Sequence, residues 1–140
     1  MKHIICYTDG GSRGNPGIAG VGIIARKSTG EMLFEGSRFL GNATNNFAEY
    51  AGVVLLLNEL KKRLGKETKT TEIEIRMDSE LIQKQLSGEY QIKEPSLVPQ
   101  FIEIHNLRVS SFPHVRFVHV RREENTDADR LANEAMDRRA

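Results

Sequence analysis

Cysteine is nearly absent from this chain. Cys6 stands alone, so no internal disulfide can form, and its apolar neighbours point to a buried thiol in a reducing compartment rather than to a nucleophile. Net charge is nearly absent too: 20 Lys and Arg against 19 Asp and Glu leave +1. A chain basic throughout is excluded, and any contact with nucleic acid has to be local. Long apolar runs are also missing. Met1-Lys2-His3-Ile4-Ile5-Cys6 reaches a turn before a signal-like stretch has formed, and nothing further on is long enough to span a bilayer. A cytoplasmic, monomeric protein with no membrane partner is expected. At 140 residues and 39% hydrophobic content the chain can build one good core, which predicts a single domain over residues 1–140.

What is present reads as an α/β order. His3 to Asp9 is a strand ending at the turn-rich segment Gly10 to Gly17. Ile18 to Lys27 and Met32 to Leu40 follow as strands, giving an antiparallel meander. Thr44 to Leu64 changes to helical spacing, with Phe47, Ala51, Val54 and Leu55 on one face, three basic residues in the last turn and Gly65 as the stop. A strand at Glu72 to Met77, helices at Ser79 to Leu86 and Leu97 to Val109, a strand at Val115 to Val120 and a last helix capped by Thr126 complete the chain. Two hairpin reversals leave the third strand parallel to the first, and helical crossovers return the fourth and fifth in the same sense. The expected fold is a five-stranded mixed sheet flanked by helices, with its ligand edge at the carboxyl ends of strands one, three, four and five.

Four acids fall at that edge: Asp9 ends strand one, Asp78 ends strand four, Glu49 lies near the start of the long helix, and Asp129 lies in the first turn of the last helix. Singly each has an ordinary explanation, as a turn residue, a solvated helix residue, a helix cap or a charge favourable to a helix dipole. None of these explains why all four converge. Two unit charges about 4 Å apart repel by about 4 kcal/mol at an effective dielectric near 20, so the cluster calls for a proton or a cation. Mg²⁺ suits it, being a hard ion that keeps positions for water and phosphate.

These residues sit in four segments that together resemble type 1 ribonuclease H over nearly the whole chain. They are Tyr7-Thr8-Asp9-Gly10-Gly11-Ser12 running on to Gly14-Asn15-Pro16-Gly17, then Thr44-Asn45-Asn46-Phe47-Ala48-Glu49, Met77-Asp78-Ser79, and Asn125 through Ala128-Asp129 to Leu131-Ala132. The resemblance implies a ribonuclease H-like fold and cleavage of the RNA strand of an RNA/DNA hybrid, leaving a 5′-phosphate and a 3′-hydroxyl. It implies Asp9, Glu49, Asp78 and Asp129 as ligands of two Mg²⁺ ions, with Mn²⁺ able to stand in. Asp127 competes with Asp129 for the fourth place but points about 200° away around the helix.

Telling RNA from DNA requires contact with the 2′-hydroxyl. Gly10, Gly11 and Gly14 would let backbone approach a sugar, while the amides of Asn15, Asn45 and Asn46 can bond both ways and the helix start at Thr44 offers N–H groups to a phosphate. The resemblance places Gly10, Gly11, Ser12, Asn15, Thr44, Asn45 and Asn46 against the hybrid, with double-stranded RNA as a further candidate substrate. A glycine-rich turn and an Asn-rich cap are the plain alternative.

Two departures mark this chain. Many bacterial relatives carry a basic, Trp-containing protrusion, whereas Ser87 to Pro95 is short and mixed in charge and the chain has no Trp. They also place a mobile His before the last Asp, where this chain has Arg121-Arg122-Glu123-Glu124-Asn125. Arg121 or Arg122 could contact phosphate, solvated charge being the alternative. Other signals fail. Gly20-Val21-Gly22-Ile23-Ile24-Ala25 matches a dinucleotide fingerprint by letter but reads as a strand, no P-loop is present, and His114 and His119 fall on opposite faces of a strand, which excludes a zinc pair. Three other functions compete: a binding module that has lost catalysis, a Mg²⁺-dependent phosphatase, for which Gly11 stands where a second acid is wanted, and a DNA-cutting transposase-like relative.

Overall fold

Alternating side chains at Ile4, Cys6 and Thr8 bury one face of the first strand, β1 (Lys2–Gly14), in the computed structural model, which describes residues 1–140. β2 (Gly17–Lys27) and β3 (Met32–Ala43) complete the antiparallel meander, and β4 (Thr71–Met77) and β5 (Val115–His119) add in parallel, giving the order β3-β2-β1-β4-β5. Strand one does not stop at Asp9. It runs to Gly14, paired residue by residue with β2, and only the tip around Asn15 and Pro16 is a turn. The glycines that suggested a loop are compatible with the ladder because each keeps its backbone bonds while leaving room above the sheet.

Helix α1 (Asn45–Leu64) lies on one face with α2 (Glu80–Leu86) and α3 (Val98–Ser110), while α4 (Thr126–Arg138) covers β1 to β3 on the other. Thr44 caps α1, its Oγ1 accepting from the Phe47 N–H at 3.1 Å, and Gly65 ends it at φ 55°. The most buried stripe of α1 is Tyr50, Val53, Leu56, Leu57 and Leu60 against Ile4, Cys6, Ile73 and Ile75. The face expected from spacing, Phe47, Ala51, Val54 and Leu55, is its half-buried flank, because this helix is apolar around most of its circumference. Cys6 is in the core, where burial pushes its thiol far above the usual range. α4 is not capped by Thr126. Asn125 holds the cap position and turns its side chain elsewhere.

No helix covers β4 and β5 on the α4 side. Glu74 there is paired with Arg76 and Arg116, and Arg76 also donates to the Tyr7 hydroxyl at 2.7 Å. Burial opposes ionisation of Glu74, but hydrogen bonds from the two guanidiniums outweigh it and hold the carboxyl below its ordinary range. No helix is long and apolar enough to cross a membrane.

Candidate active site

Strand register decides which acids can meet. Asp9 pairs with Gly22 and Gly10 with Val21, so Asp9 faces the α4 side and Gly10 the α1 side. A Cβ on Gly10 would fall inside the Ala48 carbonyl and against the Glu49 nitrogen. Only glycine lets the start of α1 come down onto β1, and that contact brings Glu49 over the sheet edge. Gly22 does the same for α4, since a Cβ there would meet the Ala128 carbonyl. The fingerprint-like glycines of β2 thus seat the helix that carries Asp129. Asp78 follows Met77 directly, and Ser79 rather than Asp78 caps α2, which keeps the Asp78 carboxylate out of the cap.

The outcome is a group of three carboxylates, Asp9, Glu49 and Asp78, with ligand oxygens all within 4.8 Å of one another. Asp129 lines the same open cleft of about 490 Å³. Asp9 is 8% and Glu49 7% exposed, which removes the solvated-helix and turn readings of both. No lysine or arginine pairs with any of the four. Burial, then the charge of Asp78 and the proximity of Asp129, push Asp9 from 3.8 up to about 8. Burial and the charges of Asp9 and Asp78 likewise raise Glu49 well above the carboxylate range. Unpaired, desolvated carboxylates held this close lack a positive partner, and an all-oxygen donor set fits a hard divalent cation. Asp127 is absent from the cleft and pairs with Arg26 at 3.2 Å.

Of the residues expected beside the acids, Gly10, Gly11, Ser12, Asn45 and Asn46 line the cleft, whereas Asn15 and Thr44 do not. Asn15 Oδ1 accepts the Asn45 N–H at 3.0 Å and so ties the hairpin tip to α1, and Thr44 serves as the cap. The two cleft amides are set in opposite senses. Asn45 Oδ1 accepts from the Ser12 N–H at 2.8 Å, which leaves its nitrogen to donate. Asn46 gives its nitrogen to Glu94 at 3.1 Å, and because a carboxylate can only accept, the Asn46 oxygen remains as the acceptor.

Arg13, Asn133 and Arg122 also line the cleft. Arg13, which is braced by Asp137 at 2.7 Å, and Asn133 were not singled out by sequence reasoning, because what draws them in is the packing of α4 against the hairpin. Asn125, lying behind the acids, reads in the sequence only as the start of the last matching segment. It is buried, and its amide nitrogen donates to the Thr8 carbonyl and to Asp78.

A family model described as reverse transcriptase-like matches residues 7–135. Ribonuclease HI of Halobacterium salinarum is 40% identical over 131 residues, which cover 94% of this chain and 63% of that protein. A bifunctional protein of Mycobacterium tuberculosis is 42% identical over 137 residues, or 96% of this chain, but the chain spans only 35% of that relative's length. Among solved structures, LC11-RNase H1 in complex with an RNA/DNA hybrid matches with a TM-score of 0.93 and 44% identity, covering 97% of this chain and 98% of that one.

Proposed function

Because the chain belongs to the type 1 ribonuclease H family, we propose that it hydrolyses the RNA strand of RNA/DNA hybrids at the carboxylate cluster. The observation that carries this reading is the set of desolvated carboxylates without a cationic partner, opening on a cleft edged by Gly11, Ser12, Asn45 and Asn46. Asp9, Glu49, Asp78 and Asp129 would hold two Mg²⁺ ions, for which Mn²⁺ can substitute. Bound there, such ions supply Lewis acidity to the phosphate and make a water more acidic.

The residues of the chain orient the substrate. Asn45 presents a donor, which suits the acceptor atoms that every base pair shows in the minor groove. Asn46 presents an acceptor, which suits the proton of a 2′-hydroxyl. Arg13 and Arg122, at the rim, offer positive charge to the strand backbones, consistent with a protein whose net charge gives no general attraction. Water oxygen bonds to phosphorus as the P–O3′ bond breaks, leaving a 5′-phosphate and a 3′-hydroxyl.

The test is a comparison of end-labelled RNA/DNA hybrid, double-stranded RNA and double-stranded DNA of one sequence, each with Mg²⁺ and with EDTA. Internal cuts in the RNA of the hybrid are expected only with Mg²⁺, with DNA duplex intact and double-stranded RNA cut more slowly if at all. A hybrid that survives, or one cut equally well in EDTA, overturns the proposal.

A further inference from the structure

Asn125 is 1% exposed and stands where three of the acid-bearing segments meet. Its Nδ2 donates to the Thr8 carbonyl at 2.9 Å, one residue before Asp9, and to Asp78 Oδ2 at 3.3 Å. Its own carbonyl accepts the Asp129 N–H at 3.1 Å, and its N–H donates to the Arg122 carbonyl at 3.0 Å. One residue therefore touches the backbone beside Asp9, the carboxylate of Asp78 and the backbone of Asp129.

Both partners of Nδ2 only accept, so the amide cannot turn over. The consequence is that Oδ1 is sealed from solvent with no partner. Leaving a buried amide oxygen unsatisfied is destabilising, and an apolar side chain of similar size would avoid it. As a helix cap the residue is also poor, since its side chain bonds no N–H of α4. The bond to the buried Thr8 carbonyl offsets part of that cost. The donor aimed at Asp78 is what bears on the site, because nothing else in the chain bonds the Asp78 carboxylate while the acids Asp9 and Glu49 stand beside it.

We propose that Asn125 is the positioning residue of the carboxylate cluster: its amide anchors Asp78 to the end of β1 and fixes the spacing at which the acids jointly accept a cation. This rests on the reading of Asp78 as a ligand. Partners that orient ligands in this way typically change metal affinity or activity roughly 10- to 100-fold when removed.

Three readouts test it on the full chain. Calorimetric titration of Mg²⁺ without nucleic acid should show affinity lowered roughly 10- to 100-fold in Asn125→Asp, which keeps the shape but loses the donor, and in Asn125→Ala. Steady-state cleavage should show kcat reduced at saturating Mg²⁺ with the KM for hybrid within about twofold of wild type, the split expected when only an interaction at the reacting centre is lost. In an Asp78→Asn background, replacing Asn125 should cause no further loss of Mg²⁺ affinity.

If the variants do not fold, the unaltered protein still decides the matter. The ¹⁵N resonance of the Asn125 side-chain amide should move on Mg²⁺ addition, together with signals from the acids. Folded variants that bind Mg²⁺ as wild type does, an equal loss in the Asp78→Asn background, or an unmoved amide resonance would overturn the inference. A wild-type chain that neither binds Mg²⁺ nor cuts hybrid would instead sink the proposed function.

Discussion

Asp9→Asn is expected to unfold at a higher temperature than the wild type in EDTA at pH 8, while hybrid cleavage falls by roughly a thousandfold. Folding raises the Asp9 carboxyl from 3.8 to about 8, so the native state holds its proton more tightly than the unfolded chain does. The stabilising contribution is full below about pH 4 and is lost as pH rises through about 8. The neutral amide of the variant escapes that loss, so its advantage should vanish near pH 4 and reach on the order of a few kcal/mol at pH 8. Added Mg²⁺ should raise the melting temperature of the wild type and leave the variant nearly unmoved, because only the wild type gains a ligand that prefers the folded state. The loss of rate follows from removing a unit charge worth about 4 kcal/mol at 4 Å, close to three decades. Thermal unfolding from pH 4 to 8, with and without Mg²⁺, checks each part, and a variant less stable than wild type at pH 8 in EDTA would contradict the electrostatic account.

Gly10→Ala should damage cleavage severely for a change of one methyl. The added carbon would overlap the Ala48 carbonyl and press on the Glu49 nitrogen, both of them backbone of α1, so no side chain can rotate away. Overpacking of this kind costs about 1–3 kcal/mol or more. The helix can relieve it only by lifting Glu49 off the cluster, and a misplacement of about 1 Å costs roughly a hundredfold in rate. Gly36→Ala on β3 is the matched control, since it lies outside the cleft and its nearest contact would be Ile23 Cγ1 at 3.5 Å, an ordinary separation. It should keep activity within a few-fold. Equal activities for the two variants would mean that the approach of α1 to β1 does not place Glu49.

The contrast between these glycines marks how far the sequence can be read. Asp9 and Asp78 are visible because each closes a short apolar run that can only be a buried strand. Glu49 and Asp129 are visible because they fall one turn into periodic helices. Strand direction then puts all four at one edge, and the sheet order agrees. Gly10 reads as a turn residue because turn chemistry is written locally, whereas the approach of a helix 38 residues away is not. The same holds for Gly22, which looks like part of a cofactor motif and seats α4. Asn125 looked like part of a helix start, and its contacts with Thr8 and Asp78 span 117 and 47 residues of sequence. The opposed settings of Asn45 and Asn46 depend on Ser12 and Glu94, neither of which spacing could link to them.

The central claim is that these carboxylates act together as the reacting centre for a hybrid. Its most direct measurement is single-turnover cleavage of an end-labelled RNA/DNA hybrid in Mg²⁺ by wild type and by Asp78→Asn, with binding of the uncut hybrid followed in Ca²⁺. The variant should bind the hybrid within a few-fold of wild type and cut it roughly a thousandfold more slowly. A variant that cuts at the wild-type rate would contradict the account.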